Sequence, residues 1–311
     1  MTLMKIELKQ VSKSYQQKEA VKHFSLSIAP NDCIGLIGPN GAGKTSLIKM
    51  IVGVLEPTSG TILIDGEVIE KRKDTIGYLP QTPQFFSWMT AEETLSFMGQ
   101  LSHMTPAELV REIPLVLEKV GLKGEEKTKI ENFSGGMKQR LGIAQAILHH
   151  PKFLVMDEPV SALDPIGRRE VLDILTEIKK ETAIIFSTHI LSDANEICER
   201  FCFMKQGEKI LDQTVDEMLE NEASDQLVIT YKGAIDLFLK ELKKEQAVKN
   251  IVVRGHQLML TVENLEQNKI PILQQLIACQ VDLLSYSIQR EDLEEIFFKK
   301  VGVSLANNGA F

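Results

Sequence analysis

The chain has 311 residues, of which 43% are hydrophobic and 25% are charged, and its formal net charge is −8. This composition is ordinary for a globular protein with a buried core, and the acidic balance argues against a nucleic-acid partner. No apolar run approaches the roughly 18 residues of a membrane-spanning helix, and the N-terminus lacks the pattern of a signal peptide. We therefore expect a cytoplasmic protein that would reach a membrane only through a partner.

An antiparallel sheet is predicted near the start of the chain. Ile6 and Leu8, and then Phe24 and Ile28, alternate with polar residues at period two, as half-buried strands do. The stretch "TILIDGEVI" places two strands around an Asp65-Gly66 turn, a dipeptide that favours tight hairpins. These segments are expected to lie beside the main core.

A parallel sheet is predicted for the core itself. Continuous apolar runs, typical of strands buried on both faces, occur at residues 33–37, 153–157 and 183–187. Helices are expected at residues 45–52 and 166–180. Together these patterns predict an α/β fold.

A helical insertion is predicted at about residues 82–150, where no such strand run occurs. "TAEE" at residues 90–93 is a capping box that opens one helix, and Pro106 suits the first turn of another. The insertion is expected to end at Pro151, just before a buried strand.

A second domain is predicted after the polar link "ENEASD", giving domains at residues 1–222 and 223–311. The order of its expected elements is βαββαβ, which is typical of a ferredoxin-like α+β domain. The strands are expected at residues 227–231, 250–254, 258–262 and 281–288, and the helices at 235–244 and 270–279, with a last helix starting at Glu291.

The four cysteines lack C-x-x-C spacing, and three of them lie in apolar runs; they are Cys33, Cys198, Cys202 and Cys279. This pattern indicates reduced, buried thiols rather than a disulfide framework or a zinc site.

The stretch "CIGLIGPNGAGKTSLIKM" has the order strand, glycine-rich loop, helix, in which the pattern G-x-x-x-x-G-K-[ST] indicates a phosphate-binding loop. Lys44 is expected to reach the β- and γ-phosphates of a nucleotide, and the Thr45 hydroxyl to bind Mg²⁺. An ordinary glycine-rich turn before a helix is the alternative. The residues assigned to the nucleotide are Gly38, Pro39, Asn40, Gly41, Ala42, Gly43, Lys44, Thr45 and Ser46.

Two carboxylates are adjacent at the end of a predicted strand. Asp157 is the last residue of "FLVMD", and Glu158 follows it directly. Since side chains alternate along a strand, Asp157 and Glu158 are expected to point differently and to hold separate roles. Asp157 is expected to hold Mg²⁺, and Glu158 to orient or deprotonate an attacking water. His189 closes the next buried strand, where it is expected to contact the γ-phosphate. A helix cap or a satisfied polar group of the core is the alternative.

A second glycine-containing helix start occurs in "NFSGGMKQR". Ser134 is a good N-cap, so the helix would present free N–H groups and a positive dipole end. A plain capped helix is the alternative. Because this stretch has no lysine of a phosphate loop, it is expected to complement a nucleotide bound elsewhere.

Six motifs together resemble the ATP-binding cassette family of ATPases over roughly residues 4–220. They are "GPNGAGKT", Gln81 in "YLPQ", "FSGGMKQR", "FLVMDEP", "SALD" and "STH", in the family's order. The resemblance implies a head-to-tail dimer, with a second copy or a paralogous subunit, in which Ser134, Gly135 and Gly136 bind the γ-phosphate of ATP held by the other subunit. Met137 and Phe133 depart from the family's usual glutamine and leucine.

The resemblance also implies roles for three single residues. Tyr15 would stack on adenine, with an ordinary surface tyrosine as the alternative. Gln81 would sense Mg²⁺ and link the nucleotide to a membrane partner, and Asp164 would contact the other subunit near the site.

The resemblance further implies an integral-membrane permease as partner. The aromatic stretch "FFSWMTAEETLSFM" corresponds to the groove that grips a permease helix, although packing inside the insertion is the alternative. One cassette followed by a small domain ending in "DLEEIFFKKVG" resembles exporters of drugs, ions or antibiotics that pair with a separate permease. The small domain could instead serve dimerisation or regulation.

The alternative function is a soluble cassette ATPase that acts on ribosomes or DNA. Such proteins usually carry two cassettes or a long coiled-coil insertion, and neither pattern occurs here. A binding module without hydrolysis would lack the acid that Glu158 supplies. Export driven by ATP is therefore the expected function, with the enzyme on the inner face of the cell membrane through its permease.

Overall fold

The computed structural model describes residues 5–16, 18–220, 226–289 and 297. These residues form two compact units, the first reaching Val215 and the second starting at Asp216. Each unit has a hydrophobic core of its own.

Ten strands lie in the described part of the first unit: β1 Ile6–Tyr15, β2 Lys18–Ile28, β3 Cys33–Ile37, β4 Ser59–Ile64, β5 Glu67–Val68, β6 Ile76–Leu79, β7 Phe153–Asp157, β8 Ala183–Thr188, β9 Arg200–Lys205 and β10 Glu208–Thr214. Its helices are α1 Lys44–Ile51, α2 Ala91–Leu101, α3 Pro106–Lys119, α4 Gly135–Ile147, α5 Pro165–Ile178 and α6 Leu191–Ile197, and α7 Val215–Glu220 begins where the unit ends.

Six of these strands form the central sheet, in the order β10-β9-β3-β8-β7-β6. All neighbours pair in parallel except β10, which runs antiparallel to β9. Every residue of β3, β7 and β8 is buried, as their continuous apolar runs predict. The carboxyl ends of β3, β7 and β8 therefore lie side by side, where the phosphate loop, the two carboxylates and His189 follow.

The antiparallel sheet has the order β2-β1-β4-β5, and the Asp65-Gly66 turn joins β4 to β5. This arrangement confirms the second sheet expected from period-two alternation. Strand β6 escaped prediction because it has only four residues and includes Gly77, which weakens a strand pattern. The structure explains this glycine, since a Cβ there would overlap the backbone oxygen of Ala146 in α4.

The helical insertion contains α2, α3 and α4. Both predicted starts are correct, since Thr90 forms a capping box with Glu93, and Thr105 forms another with Glu108 while Pro106 opens α3. Each box satisfies backbone N–H groups that a helix start would otherwise leave without partners. The starts of α2 and α3 are thus fixed by residues close in sequence.

The four cysteines are free, and three of them are buried, as expected. The structure adds a contact that spacing along the chain did not reveal, because Sγ of Cys33 lies 3.1 Å from Sγ of Cys198. Burial raises the pKa of Cys198 well above its ordinary value and that of Cys202 to about 12. These thiols are therefore protonated at neutral pH.

The second unit contains β11 Gln226–Lys232, α8 Asp236–Leu242, β12 Val248–Arg254, β13 Gln257–Val262, α9 Leu265–Ala278 and β14 Asp282–Gln289. Its sheet has the order β12-β13-β11-β14, with every pair antiparallel. This is the predicted βαββαβ, ferredoxin-like topology. The last helix, predicted from Glu291, falls outside the described residues apart from Phe297.

In the described ranges, no helix is both long and apolar enough to cross a membrane.

Candidate functional site

The loop between β3 and α1 is shaped by glycines that leave no room for a side chain. A Cβ on Gly38 would lie 2.1 Å from the backbone oxygen of Met204, and one on Gly43 would lie 2.2 Å from that of Ala20. Gly43 is also the N-cap of α1, with a φ of 106° in the left-handed region. No acidic residue occupies the first turn of α1, so its N–H groups and positive end are available to an anion.

Lys44 folds back over this loop. Its Nζ donates hydrogen bonds to the backbone oxygens of Gly38 at 2.6 Å and Pro39 at 3.2 Å. Burial lowers the pKa of Lys44, and the nearby carboxylates of Glu158 and Asp157 partly oppose that shift. The ammonium group is thus held in place, largely dehydrated, where phosphate oxygens could take over its hydrogen bonds.

A serine bonds the Asp157 carboxylate and the backbone of Glu158 at the end of β7. The hydroxyl of Ser187 donates to Oδ1 of Asp157 at 2.7 Å and accepts from the backbone N–H of Glu158 at 3.0 Å. Glu158 has a φ of 47°, so the chain turns immediately after β7. Asp157 is 2% exposed at the strand end, while the Glu158 side chain turns towards the loop.

Three predicted site residues surround the Glu158 carboxylate. Its Oε1 lies 3.7 Å from Nζ of Lys44 and 3.5 Å from Nδ1 of His189. Its Oε2 accepts a hydrogen bond from Nε2 of Gln81 at 3.3 Å. Residues from four separate segments of the chain therefore meet at one carboxylate beside the phosphate loop.

Oxygen donors are available near this carboxylate for a hard cation. Asp157 supplies a carboxylate, Gln81 an amide oxygen and the exposed Thr45 a hydroxyl. This is the donor chemistry that Mg²⁺ prefers, with waters and substrate phosphates completing its shell. Across the described residues, no group of three or more histidine, cysteine or acidic side chains forms a metal cluster of the protein alone.

Tyr15 ends β1 close to the phosphate-loop helix. Its hydroxyl lies 3.4 Å from Oγ of Ser46, and its side chain is 45% exposed. Nζ of Lys13 lies 5.6 Å from the centre of the ring. An exposed aromatic face is thus available beside the phosphate loop.

The second glycine-containing helix start, at α4, is open to its surroundings. Ser134 caps α4 by accepting a hydrogen bond from the backbone N–H of Met137 at 3.2 Å. A Cβ on Gly135 would meet nothing within 4 Å. Among the described contacts, none joins Ser134, Gly135 or Gly136 to the phosphate loop of the same chain.

Asp164 stands apart from the Glu158 cluster and has a local structural role. Its Oδ1 accepts a hydrogen bond from the backbone N–H of Gly167 at 2.9 Å, which caps α5. The cap fixes the segment "SALD" at the start of that helix.

Two residues that organise the site were not singled out in the sequence. Ser187 links the Asp157 carboxylate to the backbone N–H of Glu158, and Gln139 of α4 donates from Nε2 to the backbone oxygen of Pro159 at 2.7 Å. Serine at a strand end and glutamine in a helix are common, so neither carries a signal of its own. Only the contacts identify them.

Comparisons with known proteins agree with this geometry. A family model described as ABC transporter matches residues 21–161. The chain is 40% identical to the uncharacterized ABC transporter ATP-binding protein YxlF of Bacillus subtilis, covering 95% of this chain and 99% of the relative. It is 32% identical to the linearmycin resistance ATP-binding protein LnrL of the same organism, covering 96% and 99%.

The fold is also found in a solved structure of an ATP-binding subunit of an ABC transporter. That structure has a TM-score of 0.63 and 32% identity, and the match covers 70% of this chain and 92% of that chain. Sheet order, phosphate loop and carboxylates define a P-loop ATPase. The chain belongs to the ABC transporter family, as an ATP-binding subunit that hydrolyses ATP.

Proposed function

We propose that this subunit drives export through a separate membrane permease by closing head to tail with a second subunit around two ATP molecules. The observation that supports the hydrolytic part is the convergence of Lys44, His189 and Gln81 on the carboxylate of Glu158. The loop from Gly38 to Ser46 would hold the phosphates, and the exposed ring of Tyr15 would stack on adenine.

Glu158 is the proposed general base. It would orient a water and accept its proton while the water oxygen bonds to the γ-phosphorus and the bond to the bridging oxygen of ADP breaks. Lys44 and His189 would stabilise the charge on the transferred group. Mg²⁺ held by Thr45, Asp157 and Gln81 would supply charge neutralisation on the phosphates.

The second subunit would complete each site with its own α4 start. Three observations support this. Ser134 and Gly135 are open, Met137 rather than a lysine follows the second glycine, and no described contact joins these residues to their own phosphate loop. A helix N-terminus of this kind suits the γ-phosphate of a nucleotide presented from outside. Asp164, which caps α5, would contact the other subunit nearby.

Mixing two inactive variants tests this arrangement. In a head-to-tail dimer, one Lys44→Ala chain and one Ser134→Ala chain together form one intact site and one doubly damaged site. We therefore expect the mixture to hydrolyse ATP faster than either variant alone. Mixing Lys44→Ala with Lys44→Ala/Ser134→Ala is the control and should restore nothing. Equal activity in both mixtures would contradict the proposal.

Dimer closure has its own test. Glu158→Gln removes the base but keeps the size of the side chain, so ATP should bind without being hydrolysed and the dimer should persist. Size-exclusion chromatography with light scattering measures the mass with and without ATP. A monomer in saturating ATP would contradict closure.

An aromatic cluster on the insertion supports the permease partner. Phe86 and Trp88 are 56% and 65% exposed, with ring centres 5.8 Å apart, and Phe97 lies beside them at 6.5 Å from Phe86. This exposure disfavours the alternative of packing inside the insertion. An exposed apolar cluster on a folded unit indicates a binding surface.

Trp88→Glu should release the subunit from its permease while ATP binding stays unchanged. Val110→Glu is a matched control, because Val110 is 79% exposed on α3 of the same insertion. The measurement is recovery of a multi-span protein with the tagged subunit from solubilised membranes. Equal recovery with both variants would contradict the surface, and recovery of ribosomes or DNA instead would favour the soluble alternative.

The direction of transport is proposed from the relatives. LnrL is named for resistance to linearmycin, which fits removal of a compound from the cell, and the match covers both chains almost completely. The proposed location is therefore the cytoplasmic face of the membrane, through the permease. For the second unit, dimerisation and regulation are both open, and deleting residues 216–311 while measuring ATPase activity and mass would separate them.

A further inference from the structure

Two ion pairs join the first turns of α5 to α6, and they differ in burial. Arg168 donates to Oδ1 of Asp193 from Nε, at 2.6 Å, and from Nη2. Arg169 donates to Oε1 of Glu196. The side chain of Asp193 is 4% exposed, whereas that of Arg169 is 65% exposed and that of Glu196 is 32% exposed. The pairs have the same chemistry, but only the first has a carboxylate that is almost fully buried, while its partner Arg168 is 31% exposed.

The buried pair connects two segments of the proposed site. Asp164 caps α5, and Arg168 follows in the first turn of that helix. His189 lies between the end of β8 and the start of α6, and Asp193 lies in the first turn of α6. Any shift of the Asp164 segment that moves the start of α5 would therefore be transmitted to the residues that follow His189.

Stability does not explain why this carboxylate is buried. Burial raises the pKa of Asp193, while the hydrogen bonds and charge of Arg168, the proximity of His189 and the side chain of Thr188 oppose the rise. Oδ2 of Asp193 is buried with no hydrogen-bond partner in the described structure. A buried ion pair with an unsatisfied oxygen is often less stabilising than apolar residues of the same size.

The second unsatisfied atom lies at His189 itself. Its Nδ1 is buried, faces Oε1 of Glu158 at 3.5 Å, and also has no hydrogen-bond partner among the described residues. Asp193 is close enough to interact electrostatically with this imidazole. The charge of Asp193 and the position of α6 thus both act on a side chain that is not yet fixed by hydrogen bonds.

We propose that Arg168 and Asp193 are positioning residues that tie the imidazole of His189 to the segment Ser161 to Asp164. The inference rests on the proposed role of His189 in hydrolysis. Contact of that segment with a second subunit would then set His189 in its working position. Hydrolysis would depend on the pair, and binding of ATP would not.

Asp193→Asn removes the charge and keeps the size of the side chain. We expect the kcat for ATP hydrolysis to fall about tenfold, with the KM for ATP unchanged within about twofold. Glu196→Gln, on the exposed pair between the same helices, should leave both constants within about twofold. In a His189→Ala background, Asp193→Asn should cause no further loss, because the pair acts through His189.

Several results would overturn the inference. The inference fails if Asp193→Asn leaves kcat unchanged, or if Glu196→Gln lowers kcat as much as Asp193→Asn does. It also fails if Asp193→Asn lowers kcat by its full factor in the His189→Ala background. If Asp193→Asn fails to fold, Arg168→Lys keeps the charge but loses the forked contact, and its kcat should fall while its KM holds. An unchanged kcat in that variant would also overturn the inference.

A spectroscopic measurement separates this inference from the proposed function. The Cε1–H resonance of His189, assigned as the histidine signal lost in His189→Ala, should move in Asp193→Asn and stay in place in Glu196→Gln. This holds even if His189 has no role in hydrolysis, in which case His189→Ala retains full activity and the proposed function fails. A resonance that stays in place in Asp193→Asn would overturn the positioning pair alone.

Discussion

Helices α1 and α4 both begin beside glycines, yet the two starts are built differently. At α1 the N-cap is Gly43, which is enclosed by backbone, and Lys44 follows with its side chain buried. At α4 the N-cap is Ser134, and a Cβ at Gly135 would meet open space. The start of α1 therefore has both the backbone N–H groups and the lysine of an anion pocket. The start of α4 has only the N–H groups, so it suits a nucleotide that is bound at another site.

Lys44→Ala is expected to have the largest effect on this contrast. Loss of the ammonium should lower kcat/KM for ATP by at least about 100-fold, because Lys44 is the cation held against the loop by hydrogen bonds to Gly38 and Pro39. The variant should still fold. Burial lowers the pKa of Lys44, which means that keeping its charge buried is unfavourable for the folded state, so removing the charge should not destabilise it greatly. Steady-state ATPase assays measure the loss, with exposed Lys49→Ala in the same helix as control.

Gly43→Ala and Gly135→Ala compare the two starts by the same substitution. The first should lower the free energy of unfolding by about 3 kcal/mol, because it combines an unfavourable φ with overlap of the Ala20 oxygen. The second should change it by less than about 0.5 kcal/mol. Urea denaturation measures both, and equal values would remove the structural distinction between the loops.

Ser187→Ala tests whether the Ser187 hydroxyl is needed to fix Asp157 and Glu158 beside the phosphate loop that precedes α1. Removing the hydroxyl leaves the Asp157 carboxylate without a donor and the Glu158 N–H without an acceptor, so the free energy of unfolding should fall by about 2 kcal/mol. Activity should also fall, since Glu158 loses the contact that fixes its backbone. Thr176→Val is the control, because its hydroxyl donates to the backbone oxygen of Leu172 within α5. An unchanged free energy of unfolding and an unchanged ATPase activity in Ser187→Ala would show that Asp157 and Glu158 keep their positions without this hydroxyl.

Ser134→Ala should have a modest effect on stability. Loss of the N-cap should lower the free energy of unfolding by about 1 kcal/mol, as for other serine caps. Ser134→Asp, which restores a cap, should recover stability but not ATPase activity, because its negative charge would meet the γ-phosphate. Recovery of both properties would indicate a purely structural serine.

Much of the fold could be predicted because its signals are local. The apolar runs of β3, β7 and β8, the capping boxes at Thr90 and Thr105 and the βαββαβ order of the second unit each depend on residues close in sequence. β6 escaped because it has only four residues, and β10 because it is largely polar. β9 was missed although its apolar run Phe201 to Met204 is of the kind that predicted the other buried strands. The glycine at position 77 makes sense only once α4 lies against it.

The sequence by itself determined the phosphate loop, the carboxylate pair at the end of β7 and the cap of α4, because backbone conformation and strand alternation decide these within a few residues. Only the tertiary structure decided that Glu158 meets Lys44, Gln81 and His189, and that Asp193 is buried against Arg168. It also decided that Ser187 bonds the Asp157 carboxylate and the backbone N–H of Glu158. Those contacts join residues up to 114 positions apart, as between Lys44 and Glu158. The order of strands in a sheet brings such residues together, and no local pattern records it.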